Sequence, residues 1–414
     1  MCGLNFIKQQ YLKNIYNKTY VSSRSNLNII LKSMRFPNKM LIVTVGGTNG
    51  KGSTISVIEK VLLDYGVSVI VNTSPHIKEY NERIRLNGIS ISDKTLIAGI
   101  DFINKVALEE GVVLSFPDYS FLLAYYVAMC EVNIDILLLE VGLGGECDPS
   151  NILHADIAVL TNIDLDHTEI LGNTREEILE KKIAIARKGK KLVVGDPNPP
   201  LNLESLVLMN GYELYLCDHE YNSLDYELKI NSPVHINNIA IARKVIALIS
   251  KQINKEMKLT VDMLKNLAIK ARAELLSREG QFILLDVAHN RQAINNLSNQ
   301  IDNIKTTYNL TKVTAIFTAI STKLSSDIIA DIAFIIDEWK VFSIRSIDQR
   351  GASQLDLQKY FQNINQVSFF DIQSHEFKNI LMDNCRNELI VVFGSFTLIG
   401  EFLKIYDLQV VNEK

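Results

Sequence analysis

LIVTVGGTNGKGST, residues Leu41–Thr54, changes character at its glycines. Leu41–Val45 is an uninterrupted apolar, β-branched run, the pattern of a strand buried on both faces. A glycine-rich loop follows, and Ser53–Tyr65 then reads as a helix. Strand, glycine loop, helix is the setting of a phosphate cradle. Glycine lets backbone N–H groups turn toward phosphate oxygens. The helix N-terminus adds about half a positive charge. Gly47, Thr48, Asn49 and Gly50 would line the cradle, and Gly52, Ser53 and Thr54 would open the helix. Lys51 can reach terminal phosphates, and the Ser53 hydroxyl suits Mg²⁺. A plain glycine turn is the alternative, but Lys and Ser stand where phosphate chemistry needs them.

Working outward, Val67–Asn72, Ile134–Val141, Asp156–Asn162 and Lys191–Gly195 are further strand runs with helical patterns between them. This alternation predicts an α/β domain with a mainly parallel sheet and helices on both faces. Ligands of such sheets sit at the carboxyl ends of strands. A second series, Phe282–Val287, Val313–Thr318, Lys340–Ser343 and Leu389–Phe393, predicts a smaller α/β domain. The boundary is expected near Ser277–Gly280, dividing the chain into 1–276 and 277–414.

The length of 414 residues suits two or three domains. Hydrophobic residues make up 47% and charged residues 22%, a globular composition. A net charge of -4 leaves no electrostatic footprint for nucleic acid. The five cysteines are scattered and form no CxxC pair, which argues against a disulfide framework or zinc site and fits a reducing compartment. Residues 1–20 lack the apolar core of a secretory signal. The longest apolar run, Phe121–Cys130, falls far below the roughly 20 residues of a membrane helix. A cytoplasmic protein without membrane partners is expected.

Several polar residues sit where they need explaining. Glu140 closes a buried apolar strand, a costly place for a carboxylate unless it is paired or binds a cation. It is a Mg²⁺ ligand or a strand-end hydrogen bonder. Thr73–Gly88, TSPHIKEYNERIRLNG, carries Ser74, His76, Glu82 and Arg83 on a loop of undecided role. His167, between Asp166 and Glu169 at another strand end, is a candidate cation ligand. Ile178–Lys190 reads as a mostly solvated basic helix. Arg272 is a bidentate phosphate clamp or a surface partner of Glu274. Asp286 and His289 end the first strand of the second domain, where a cleft is expected. No Ser-His or Cys-His nucleophile pair stands out.

GTNGKGST, with Gly52 between the lysine and the serine, resembles the ATP-binding loop of the Mur ligase superfamily. Within it the chain resembles the folylpolyglutamate synthase / dihydrofolate synthase family, from about residue 41 to 402 and in matching motif order. The resemblance implies a P-loop-containing Mur ligase central-type domain followed by a smaller Rossmann-like α/β domain. It implies an ATP-dependent amide ligase that forms an acyl phosphate and couples it to L-glutamate, on folate, dihydropteroate or both. The Ser-Pro-His…Glu-Arg-Ile segment implies substrate contacts at Ser74, His76 and Arg83. The Glu-Val-Gly-Leu-Gly-Gly run implies Mg²⁺ on Glu140 with Ser53, and Asp-His-Thr implies a second Mg²⁺ on His167. Lys182 aligns with a lysine that the family carbamylates. Asn238, Arg272, Asp286 and His289 align with ATP contacts. Lys51, His167 and Lys182 are the implied catalytic residues. A monovalent cation is a further candidate cofactor, and a monomer is implied.

The chain also departs from the family pattern. Glu146-Cys147-Asp148-Pro149-Ser150-Asn151 stands for Arg-Leu-Asp-Ala-Thr-Asn, and Lys181 replaces the Glu of Glu-Lys-Ala-Gly. Ala271 precedes Arg272 where the family has Gly. Pro117-Asp118 replace Phe-Glu, Arg291 replaces a Pro, and the segment around Thr322 loses an Asp. These changes leave open a Mur-type ligase for another carboxylate or amino acid, and a nucleotide-binding protein without turnover.

Overall fold

In the computed structural model, which describes residues 2–16, 23–34, 40–131, 133–217, 234–265, 267, 269–278, 281–380 and 387–412, β1 (Leu41–Gly46) is buried at every position. It lies inside an eight-stranded sheet of order β4-β3-β2-β5-β1-β6-β7-β8. The other strands are β2 (Val69–Asn72), β3 (Ile84–Leu86), β4 (Ile89–Ser90), β5 (Ile136–Glu140), β6 (Ile157–Leu160), β7 (Lys191–Val194) and β8 (Glu213–Leu216). All pairings from β2 to β8 are parallel, and β3 and β4 add an antiparallel edge. Consecutive residues such as Ile136, Leu137, Leu138 and Leu139 are fully buried, so both faces are covered.

Helices α1 (Cys2–Tyr16), α2 (Arg24–Ser33), α3 (Lys51–Asp64), α4 (Asp93–Glu109), α5 (Phe116–Cys130), α6 (Thr168–Leu171), α7 (Arg175–Ile183), α8 (Leu203–Asn210), α9 (Ile236–Ile253) and α10 (Val261–Lys265) supply the cover. Side chains of α1, α2, α4 and α5 close one core over Ile42, Ile70, Leu137 and Leu139. Those of α7 and α8 close another over Ala158, Leu160, Leu192 and Val194. The apolar run Phe121–Cys130 is thus a core helix. Its start explains one departure from the family pattern, because Ser115 and Asp118 form a reciprocal capping box with Pro117 in the first turn.

The chain divides into two compact units, Met1–Leu267 and Ala268–Lys414. The second carries a six-stranded sheet of order β13-β12-β11-β14-β10-β9. Its strands are β9 (Glu274–Arg278), β10 (Gln281–Asp286), β11 (Lys312–Phe317), β12 (Glu338–Ser343), β13 (Val367–Asp371) and β14 (Glu388–Phe393). Only β9 runs antiparallel, against β10. The expected boundary at 276/277 therefore falls inside a strand of the second unit. Residues 279 and 280 of the expected junction lie outside the described residues. The basic helix expected over Ile178–Lys190 is shorter, ending at Ile183, and turns lead from it into β7. No helix among the described residues is long and apolar enough to cross a membrane.

Candidate active site

Register decides which residues meet. Val45 of β1 is level with Glu140 of β5, Gly46 with Leu160 of β6, and Asn72 of β2 with Leu139 of β5. The carboxyl ends of four strands therefore deliver the 46–53 loop, Ser74, Glu140 and the segment after Leu160 to one sheet edge. Gly50 adopts φ 83° as the N-cap of α3. A Cβ there would stand 2.3 Å from the Asn238 amide oxygen of α9, so Asn238 packs directly on the loop. Gly47 adopts φ 135°, and a Cβ there would lie 1.9 Å from Thr161 Oγ1. Gly47→Ala is expected to destabilise the protein by about 3 kcal/mol, from backbone strain and this clash together. Urea unfolding of the variant checks this, and a loss below about 1 kcal/mol would show that the loop can yield.

The segment after β6 holds the loop from behind, a role the sequence reading missed. Asn162 takes the Thr48 N–H on its carbonyl (2.9 Å) and the Asn49 N–H on its side chain (2.8 Å). Thr161 Oγ1 donates to Asn49 O (2.6 Å), and Thr48 Oγ1 accepts the Asp164 N–H (3.0 Å). The Thr48 and Asn49 N–H groups expected to face phosphate are thus spent on Asn162. The first turn of α3 still leaves N–H groups, those of Gly52 and Ser53 among them, without intrahelical acceptors. Thr54 differs from expectation. Its side chain is fully buried and its N–H bonds Gly50 O, because one residue past Ser53 turns about 100° around the helix.

Two lysines meet on one carbonyl. Lys51 Nζ donates to Gly47 O (3.0 Å) and Thr48 O (3.1 Å), and Lys182 Nζ donates to Gly47 O (3.0 Å). Lys182 is only 4% exposed, in contrast to the solvated lysines expected over most of this helix. Burial, then the Lys51 charge, holds the Lys182 amine down at about 7. His167, in a left-handed conformation with φ 49°, begins α6. Its imidazole is lowered by burial first and by the charges of Lys182 and Lys51, against the pull of Glu169. His167 thus feels the charges of both lysines.

Glu140 is buried, and its Oε2 accepts the Ser74 N–H (2.9 Å). A Cβ on Gly52 would lie 3.8 Å from this carboxylate, so the unusual Gly52 sits directly beside it. The loop after Glu140 is tied by Asp148, which accepts N–H groups of Gly142 (2.9 Å), Leu143 (3.3 Å) and Ser150 (2.9 Å). Burial pushes the Asp148 carboxyl up, and these donors pull it back. No three His, Cys, Asp or Glu side chains among the described residues gather to hold a metal ion by themselves.

His76 and Arg83 pair with each other. Arg83 Nε donates to His76 Nδ1 (2.8 Å), and burial followed by the Arg83 and Lys8 charges drives the imidazole down to about 3. The Arg83 guanidinium lies over Tyr80 (5.3 Å) and Phe116 (5.1 Å), and Phe116 stacks on Tyr16.

In the second unit, Asp286 at the end of β10 accepts the Ala273 (2.8 Å) and Ala288 (2.7 Å) N–H groups. Burial raises its carboxyl and Arg272 lowers it. Ala271 and Ala273 both take positive φ, so the backbone around Arg272 keeps a glycine-like shape without glycine. Glu274 accepts the Ala271 N–H (2.7 Å) instead of pairing with Arg272, whose guanidinium lies over Phe396 (5.6 Å). His289 Nδ1 is 2.7 Å from Val287 O, which fixes its tautomer with the proton on Nδ1.

Known proteins are similar to this chain in sequence and fold. The Mur ligase middle domain family matches residues 45–199. The dihydrofolate synthase/folylpolyglutamate synthase of Buchnera aphidicola subsp. Schizaphis graminum is 32% identical over 394 residues, 92% of each chain. The Escherichia coli K12 protein of the same description is 26% identical over 413 residues, 96% of this chain and 94% of its own. Escherichia coli FolC solved in complex with DHPP and ADP superposes with TM-score 0.82 at 25% identity over 97% of both chains. The bifunctional enzyme from Yersinia pestis, solved with AMPPNP and Mn ion, gives 0.80 at 26% identity over 98% of this chain and 97% of its own.

Proposed function

The chain belongs to the dihydrofolate synthase/folylpolyglutamate synthase family, and from that premise we propose that it is an ATP-dependent ligase joining L-glutamate to a pteridine carboxylate. The observation that carries this reading is the convergence of Lys51 and Lys182 on the Gly47 carbonyl, at the sheet edge that also holds Glu140. A carboxylate does not acylate an amine at neutral pH. In the reaction its oxygen attacks the γ-phosphorus of ATP, the bond to the β-phosphate oxygen breaks, and ADP leaves. The glutamate amine then attacks the acyl carbon, loses a proton and expels phosphate. No protein nucleophile is needed, so the protein contributes position and charge.

Lys51 neutralises the transferring phosphoryl group, and the first turn of α3 directs N–H groups at it. Asn238, packed on Gly50, contacts the nucleotide. For Arg272, Asp286 and His289 of the second unit, the family resemblance alone supports a nucleotide-binding role. Ser74 lies against Glu140, and Arg83 with His76 offers a fixed cation and a neutral imidazole to the acyl substrate. The donor set fits a divalent ion that draws most of its oxygens from phosphate and water, as Mg²⁺ does. Ser53 and Glu140 would hold one ion, and His167 with Glu140 and a carbamylated Lys182 a second. Bound there, Mg²⁺ supplies charge for the phosphate oxygens. The Lys182 amine, half neutral near pH 7, is the form that adds CO₂ with loss of a proton. A monovalent cation remains a candidate. A cytosolic monomer is the proposed state, and the free thiols of Cys130 and Cys147 fit a reducing compartment.

Phosphate release from ATP and Mg²⁺ tests the reading, scanning dihydropteroate, tetrahydrofolate and non-folate carboxylates with and without L-glutamate. Turnover that requires both a pteridine and glutamate is expected. Turnover with another carboxylate or amino acid alone would replace the substrate assignment. ATP binding without any turnover would refute the ligase.

A further inference from the structure

Two departures from the family pattern, Glu146 and Lys181, prove to be partners. Lys181 Nζ donates to Glu146 Oε2 (3.2 Å), and the Glu146 N–H donates to Lys181 O (3.1 Å). Just before them, a Cβ on Gly145 would stand 2.8 Å from the carbonyl oxygens of both Lys181 and Lys182. The loop that begins at Glu140 is thus pressed onto the last turn of α7 as closely as backbone allows. Its far end is fixed by Asp148. From that same turn the next residue, Lys182, reaches Gly47 O.

We propose that Glu146 and Lys181 are a positioning pair for Lys182, a clamp of loop on helix closed by opposite charges. The proposal rests on the ligase reading above. An ion pair is indifferent to which end carries which sign, and the Gly145 approach and the backbone bond do not involve either charge. Both residues can therefore change in concert without moving the helix. Changing one alone sets two like charges about 3 Å apart across the junction, which pushes the loop off the helix turn that carries Lys182. Both side chains are half exposed, so the pair adds little to global stability. Its effect lies in where the Lys182 amine is held.

Glu146 also borders a cavity of about 220 Å³, shared with Arg24, Leu27, Cys147, Asp148 and Ile152. A direct contact with a ligand there is the rival role. A charge-exchange cycle separates the two. Glu146→Arg, Lys181→Glu and the double variant are assayed for kcat and for each KM, beside thermal melting and amide hydrogen exchange over Lys181–Ala186. Each single variant is expected to lose about tenfold in kcat, with the KM for ATP within about twofold and the melting temperature unchanged. Exchange over the helix end rises in each, and the double variant restores both kcat and protection. A double variant as slow as the worse single would overturn the clamp. Single variants at wild-type kcat would also overturn it. A KM for the acyl substrate that rises in Glu146→Arg and stays raised in the double variant would assign Glu146 to the cavity instead. Wild-type protein with no turnover on any carboxylate would refute the ligase reading itself.

Discussion

Lys51→Ala is expected to lower phosphate release by about 10³-fold or more while the protein stays folded. The first cause is direct, since in the proposed reaction the phosphoryl group would lose a fixed cation. The second runs through Lys182. Lys51 and Lys182 share the Gly47 carbonyl, and the Lys51 charge is part of what keeps the Lys182 amine at about 7. Without that charge the amine takes up a proton more readily, so less of it is available to add CO₂. Fold loss is not the route, because the backbone of Gly46, Thr48 and Asn49 is held by Thr161 and Asn162, not by the lysine alone. The checks are kcat in the phosphate-release assay, a nucleotide-binding titration and a melting curve. A variant keeping more than about a tenth of wild-type kcat would remove Lys51 from the phosphoryl-transfer step.

The sequence made the strands and their ends legible because burial on both faces writes continuous apolar runs. Every strand that carries a site residue was visible in this way. The phosphate loop was readable because its glycines are forced, two of them by positive φ and close approach. Edge strands β3 and β4 are short, the first half-buried and the second exposed, and leave little pattern. The β9 boundary was missed because an antiparallel edge strand of five residues looks like a linker. Within the site, the holders of the loop were illegible. Thr161, Asn162 and Asp164 act through a few hydrogen bonds to residues more than a hundred positions away in sequence. Periodicity carries no trace of such contacts. The residue pattern around Lys182 is that of a solvated basic helix; the family resemblance picks the lysine out, and its burial in the folded chain sets it apart from its neighbours. The altered motifs became readable once partners were known. Ser115 and Asp118 turn out to cap a helix, and Glu146 and Lys181 to bond each other.

Lys182→Met is expected to abolish turnover, by about 10³-fold, and to remove a pH dependence that the wild type shows in both activity and stability. The folded amine sits near 7, far below its ordinary value of 10.5, because burial disfavours the charged form. Between those two values the unfolded chain holds a proton that the folded chain does not. Raising pH through that window therefore stabilises the unmodified wild type, by up to about 5 kcal/mol. Below about 7 both states are protonated, and the full cost of burying the charge is present. Methionine has no charge to bury, so the variant lacks this slope, and the difference between the two unfolding curves isolates Lys182 from other groups that titrate there. Activity follows the same proton. At fixed dissolved CO₂, wild-type kcat is expected to rise with pH through about 7 as the neutral amine becomes available. Carbon-13 NMR in labelled bicarbonate should show one lysine carbamate in the wild type and none in Lys182→Met. Turnover retained in the variant, or a carbamate signal that survives it, would remove the modified lysine from the mechanism. An unfolding difference that does not grow above pH 7 would show instead that the buried amine keeps its proton by some partner other than the Gly47 carbonyl.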